Sequence, residues 1–189
     1  MPIIIAGGSF NKKGKSTEVS DKGYQILKDF LKKVNPKTAF FVVGHKMQGY
    51  EKAIFDISKE LHKNFEIYAI IPKMISKEES KNLQTNYLNG IRISIENDEM
   101  GLYKSFNYEI FERRKSIVIA FDGNSPVSNL VQEAKNGKGK SKIYVNADVT
   151  SLKDKARSLE GYAIPFNINE NTFDNILSDN PEITIVMNT

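Results

Sequence analysis

The sequence has no cysteine, no tryptophan, only two histidines and no apolar run approaching the length of a membrane helix. Without cysteine there are no disulfides and no thiolate metal sites. His45 and His62 are too few for a histidine-based zinc centre. No metal and no resident cofactor are therefore expected. A spanning helix needs roughly 20 apolar residues, so no membrane partner is expected either. The opening Met-Pro-Ile-Ile-Ile-Ala-Gly-Gly lacks the basic flank and the length of a signal peptide. Cytoplasmic residence is the resulting expectation.

What is present fits a globular chain. Its 189 residues are 40% hydrophobic and 26% charged, enough apolar content for a sizeable core. The net charge of +4 comes from 27 basic against 23 acidic residues. It permits an anionic ligand without requiring one. One lysine cluster, residues 135–142 (KNGKGKSK), reads first as a solvated turn and second as a phosphate or nucleic-acid contact.

Apolar runs and amphipathic stretches alternate, the pattern of an α/β fold with a mostly parallel sheet. Residues 2–6 read as a strand buried on both faces, ending in Gly7-Gly8. A polar loop over 10–20 leads to Ser20 or Asp21, either able to cap a helix with Tyr24, Leu27, Leu31 and Val34 on one face. Further strands are expected over 38–43, 65–71, 91–95, 116–121 and 142–145. Helices are expected over 50–62, from the Ser76/Glu79 capping box towards Leu88, over 99–114, over 127–135 and over 152–159. Residues 164–168 read as irregular or extended, and 183–187 as a last strand at a sheet edge. There is no internal repeat. The expectation is one Rossmann-like three-layer domain, with a core over about 1–150 and a C-terminal extension over 151–189.

Three strands run into glycine-bearing loops: Gly7-Gly8-Ser9, Gly44 to Gly49, and the stretch from Asp122 to Asn129. In a parallel sheet all three lie on the carboxyl edge, where open α/β sheets place ligands. Glycine lets backbone approach a phosphate, and the following helix offers free N–H groups and a positive dipole end. The candidate ligand contacts are Gly7, Gly8, Ser9, Gly44, His45, Gly49, Asp122, Gly123, Ser125 and Ser128. His45 reads first as a structural hydrogen-bonder of its loop, Ser9 as a phosphate contact or a turn residue, and Lys104 and Arg113 as solvated cations or phosphate partners. Of Phe106, Tyr108 and Phe111, at least one belongs to the core.

The segment FNYEIFERRKSIVIAFDG over 106–123 resembles the pattern RNxxMVDxSDxLIAVxDG, with Asn107, Glu112 and Asp122-Gly123 at matching places. GHKMQGYEKAI over 44–54 and IYAIIP over 67–72 are similar to the second loop and third strand of the same group. The group is the SLOG superfamily, which includes the LOG phosphoribohydrolases, the DNA-processing protein DprA and the YpsA-like proteins. The chain is most similar to the YpsA-like branch. Phe106 stands where that pattern has arginine, and Ser125-Pro126 where it has a glycine pair, while Asn129 matches the Asn at the helix start. The resemblance implies a nucleotide-derived ligand and a homo-oligomer, and adds Asn107 and Asn129 to the candidate contacts.

The PGGxGTxxE loop of the LOG enzymes is absent between Asp122 and Glu133. The expectation is therefore binding or sensing of a nucleotide-derived ligand, in signalling or in conflict between phage and host. An alternative is a nucleotide N-glycosidase using Glu112 and Asp122 as its carboxylates. Glu112 reads as well as a surface carboxylate paired with Arg113 or Lys115. A further alternative is a DprA-like single-stranded nucleic-acid binder. That would need a basic stripe with stacking aromatics, and none stands out.

Overall fold

The computed structural model describes residues 1–7, 19–44, 47–72, 77–86, 91–96, 106–123, 125–169 and 171–185. Strands and helices alternate: β1 (Pro2–Ala6), α1 (Asp21–Lys33), β2 (Phe40–Val43), α2 (Tyr50–Glu60), β3 (Ile67–Pro72), α3 (Lys77–Asn86) and β4 (Ile91–Glu96). A short π-helical stretch, Asn107–Phe111, precedes β5 (Ile117–Ala120). Then come α4 (Ser125–Asn136), β6 (Lys142–Asn146), α5 (Thr150–Ser158), β7 (Ala163–Phe166), α6 (Thr172–Asp179) and a 3-10 turn, Pro181–Ile183.

The strands form one sheet in the order β4-β3-β2-β1-β5-β6-β7, and every pairing is parallel. Helices cover both faces, because the strands are apolar on both. In β1, Ile3 and Ile5 join the core under α1, α2 and α6, while Ile4 joins the opposite core under α4 and α5. Full burial of each such side chain contributes about 1.5–3 kcal/mol. The protein is thus a Rossmann-like three-layer α/β fold.

Local signals account for the helix ends. Ser20 caps α1, its hydroxyl accepting the Gly23 N–H at 3.0 Å. The buried face is Ile26, Leu27, Phe30 and Leu31; Tyr24 is half-buried and Val34 lies one residue beyond the helix. The Lys63 ammonium closes the far end of α1, donating to the Leu31, Lys32 and Val34 carbonyls at 2.8, 2.5 and 3.1 Å.

The C-terminal quarter departs from expectation. Residues 151–189 are not an appendage to a finished core: Ala163–Phe166 adds the seventh strand to the same sheet. The expected edge strand over 183–187 is instead a 3-10 turn with a single antiparallel bridge, Thr184 to Val34, and residues beyond 185 lie outside those described. Helix α6, which the sequence reading lacked, packs Phe173 on Phe30 with ring centroids 4.5 Å apart. The Phe166 carbonyl accepts from Ala147 N at 2.7 Å, so the polar groups of Phe166 face β6 and those of Pro165 face the open edge. A proline there loses no ladder bond and denies that edge to another strand.

Between β4 and β5, the expected helix over 99–114 is described only from 106 onward, where Phe106 and Phe111 both enter the core. Ser76 and Leu88, the expected ends of the helix seen as α3, lie outside the described residues.

Candidate functional site

The strand order reverses between β1 and β5: the chain builds outward from β1 through β2, β3 and β4, then returns to place β5 on the other side. Helices α2 and α4 therefore lie on opposite faces and flank the crevice above the carboxyl ends of β1 and β5. Such a switch point is the general ligand position of open α/β sheets.

Two glycines line it. Gly7 follows β1 with φ 142°, and Gly123 follows β5 with φ 121°. A Cβ on Gly7 would sit 2.5 Å from Asp122 Oδ1 and 2.8 Å from Asp122 N. A Cβ on Gly123 would lie 2.5 Å from Val127 Cγ2. Both positions thus require glycine, for backbone angle and for close approach. The two loops are tied together where Phe121 N donates to Ala6 O at 2.9 Å. Behind them the Asn146 amide, buried at the end of β6, donates to the Phe121 carbonyl at 2.6 Å and accepts from Asp148 N at 2.9 Å.

The start of α2 closes the other flank. Tyr50 N donates to Gly7 O at 3.2 Å, and the Tyr50 ring lies 4.3 Å from that of Phe121. Burial, with the Asp122 carboxylate nearby, holds the Tyr50 hydroxyl well above the usual phenol range. The turn into α2 is tight, with left-handed angles at Met47 (φ 49°) and Gly49 (φ 58°). Met47 bears that unfavourable angle with its side chain in the core. Gly44, at the end of β2, donates its N–H to Glu51 Oε1 at 2.8 Å. Burial pushes the Glu51 carboxyl up to about 7, partly offset by that N–H. Gln48 Oε1 is buried and has no hydrogen-bond partner among the described residues.

Among the expected contacts, Gly7, Gly44, Gly49, Asp122 and Gly123 come together on this edge, with Ser125 and Ser128 in the first turn of α4. Gly8, Ser9, His45 and Lys104 lie outside the described residues. Asn129 is exposed on α4. Asn107 is engaged elsewhere: its amide donates to the carbonyl and to the Oε2 of Glu133, both at 3.0 Å, holding the π-helical stretch against the far part of α4. Glu112 stands before β5, at the opposite edge of the sheet from Asp122. It pairs with Lys138 at 3.0 Å rather than with Arg113 or Lys115, and this cation holds its carboxyl below the usual range. The two carboxylates expected to act together are therefore not brought together.

The sequence reading missed Gln48, Tyr50, Glu51 and Asn146. The signals were slight: an acidic residue in the first turn after a strand-ending glycine, and an asparagine closing an apolar strand.

Three of the four lysines of 135–142 have partners within the fold. Lys135 lies over the Tyr162 ring at 5.0 Å, Lys138 pairs with Glu112, and Lys142 donates to Asp179 O at 2.5 Å. Gly137 and Gly139 pack on Phe111 and Arg114 too closely for any side chain. Among the described residues, no group of three or more acidic or histidine side chains is arranged to hold a metal. Among them, too, no helix is long and apolar enough to cross a membrane. No protein-family model matches the chain, and no curated protein matches it.

Proposed function

We propose that this protein binds or senses a nucleotide or nucleotide-derived ligand at the carboxyl edge of the sheet, as a member of the SLOG superfamily. One observation carries the reading: the strand order reverses at β1 and β5, and at that point stand two glycines, Gly7 and Gly123, in left-handed conformations. The α4 mouth suits an anion. Its first turn holds Ser125 and Ser128 and no acidic residue, so the positive dipole end of the helix suits a phosphate. The N-glycosidase alternative loses support, since Glu112 stands at the other edge beside Lys138.

The test is native mass spectrometry of the purified protein for a retained nucleotide, then calorimetric titration with AMP, ADP and ATP. Ser128→Asp is the informative variant. A carboxylate in the first turn of α4 stabilises the helix by about 0.3–1 kcal/mol, so the variant folds, yet it repels a phosphate. Wild type should bind at least one of these nucleotides and Ser128→Asp should bind it at least tenfold more weakly. Absence of binding by wild type at millimolar nucleotide, or equal affinity in the variant, overturns the reading. Chromatography of the same mixtures should show no free base; its release at enzymatic rates would favour the glycosidase.

A further inference from the structure

The Asp122-Gly123 turn is supported by a side chain where the sheet stops. The ladder between β5 and β6 ends where Ala120 pairs with Val145. One residue further, Asn146 pairs with Phe166 of β7. The link back to β5 passes to the Asn146 amide, which donates to the Phe121 carbonyl at 2.6 Å. The Phe121 N–H meanwhile donates to the Ala6 carbonyl at 2.9 Å. The residue before the turn is thus fixed to β1 through its N–H and to β6 through its carbonyl. Its ring is packed as well, with centroids 5.8 Å from Phe173 and 6.3 Å from Phe166.

The amide that makes this link has one orientation. Asn146 is 1% exposed, and its Oδ1 accepts the Asp148 N–H at 2.9 Å in an Asx turn. Turning the amide over would set its NH2 against an N–H and its oxygen against a carbonyl. Aspartate, of the same shape, would likewise oppose an oxygen to the Phe121 carbonyl. An apolar side chain would continue the buried run of β6 but leave that carbonyl and the Asp148 N–H unmatched. Position 146 therefore calls for one donor and one acceptor together. The tie then extends outward. The Asp148 carboxylate accepts from the Asn167 amide at 2.6 Å and from the Ile168 N–H at 2.8 Å, which fastens the loop after β7 to the same point.

We propose that Asn146 is a positioning residue of the ligand site, acting through Phe121 to set the Asp122-Gly123 turn against Gly7. The proposal rests on the nucleotide reading above. The spacing is tight: Asp122 Oδ1 and N lie 2.5 and 2.8 Å from the point that a Gly7 Cβ would occupy. A binding constellation has to be held within about 0.5 Å of its productive geometry. The β5–β6 ladder, which ends at Ala120, does not reach the turn. The C-terminal segment thereby takes part in the site, since Phe166, Asn167, Ile168 and Phe173 brace Asn146, Asp148 and Phe121 from behind.

The experiment is calorimetric titration of the whole chain with whichever of AMP, ADP and ATP wild type binds most tightly, alongside urea unfolding of each protein. Asn146→Ala and Asn146→Ser both lose the reach to the Phe121 carbonyl, and the serine keeps a polar group beside the Asp148 N–H. Leu159→Ala, in the core just past the far end of α5, lowers stability away from the turn. The folded Asn146 variants should bind the nucleotide at least about tenfold more weakly, the order of one lost hydrogen bond. The Gly123 amide resonance of the ligand-free protein should move in them. Leu159→Ala should keep both the wild-type affinity and the wild-type Gly123 resonance. Wild-type affinity in a folded Asn146 variant overturns the proposal. An equal loss of affinity in Leu159→Ala also overturns it, because general loosening would then be enough. Failure of both Asn146 variants to fold assigns the residue to stability alone and overturns it too. In each of these cases the Ser128→Asp effect leaves the nucleotide reading standing. Wild type that binds none of the three nucleotides overturns both.

Discussion

At the scale of single residues, the most consequential feature is a carboxyl kept where water is scarce. Glu51 carries a folded-state value of about 7 against 4.5 for the free side chain. Between these values the folded protein holds a proton that the unfolded chain has released. Stability therefore falls as pH rises from about 4.5 to about 7 and is flat with respect to this group outside that window. Glutamine does not titrate and keeps an acceptor for the Gly44 N–H. The Glu51→Gln protein should match wild type near pH 4 and exceed its stability near pH 8 by up to about 3 kcal/mol. Urea melts at several pH values read this directly, and a variant that keeps the wild-type decline across the window would remove Glu51 as its source.

At the scale of elements, the contact between α1 and α2 inverts an ordinary rule. Gly23 lies in the first turn of α1, where replacing glycine by alanine commonly gains up to about 1 kcal/mol. Here the added Cβ would lie 2.6 Å from the Tyr50 hydroxyl oxygen. The Tyr50 ring is fully buried against Phe121 and has little room to retreat. Gly23→Ala should cost about 1–3 kcal/mol, the range for overpacking. Tyr50→Phe removes the obstructing oxygen, so Gly23→Ala in that background should cost far less. Thermal or urea unfolding of the four proteins gives the coupling; strictly additive effects would mean that the hydroxyl is not the obstruction.

At the scale of the molecule, charge separates a small-ligand protein from a nucleic-acid binder. The excess of +4 is spread among 27 basic and 23 acidic residues. Pairs such as Lys28–Glu60, Lys33–Asp174 and Lys52–Asp56 intersperse the signs over the surface. A binder neutralising several phosphates releases counterions and loses orders of magnitude in affinity between about 50 and 200 mM salt. A site built from backbone N–H groups responds far less. Fluorescence anisotropy with a single-stranded oligonucleotide should detect no submicromolar binding at about 200 mM salt. Replacing the lysines of 135–142 should leave nucleotide affinity unchanged. Tight oligonucleotide binding at the higher salt that collapses in the lysine variant would instead support the DprA-like alternative.

The sequence alone determined the class of the fold and the edge on which its strand-ending glycines lie. Runs such as Ile3-Ile4-Ile5 and Ile117–Ala120 are apolar at every position, which only a strand covered on both faces tolerates. Gly7, Gly44 and Gly123 mark where those strands stop. Such features are local, and short-range periodicity and turn chemistry report them. Tertiary structure decided what depends on which strands become neighbours. The order β2-β1-β5 sets Gly7 beside Asp122. The fold likewise gives Asn107 to Glu133 and Glu112 to Lys138, 26 residues away in each case. Strand β7 was not distinct in the chain, because Ala-Ile-Pro-Phe exposes its two middle residues and carries a proline that only an open edge accepts. The weight of Glu51 was equally hidden. A glutamate in the first turn of a helix is ordinarily a solvated charge, and only the packing around the end of β2 draws this one partly out of water.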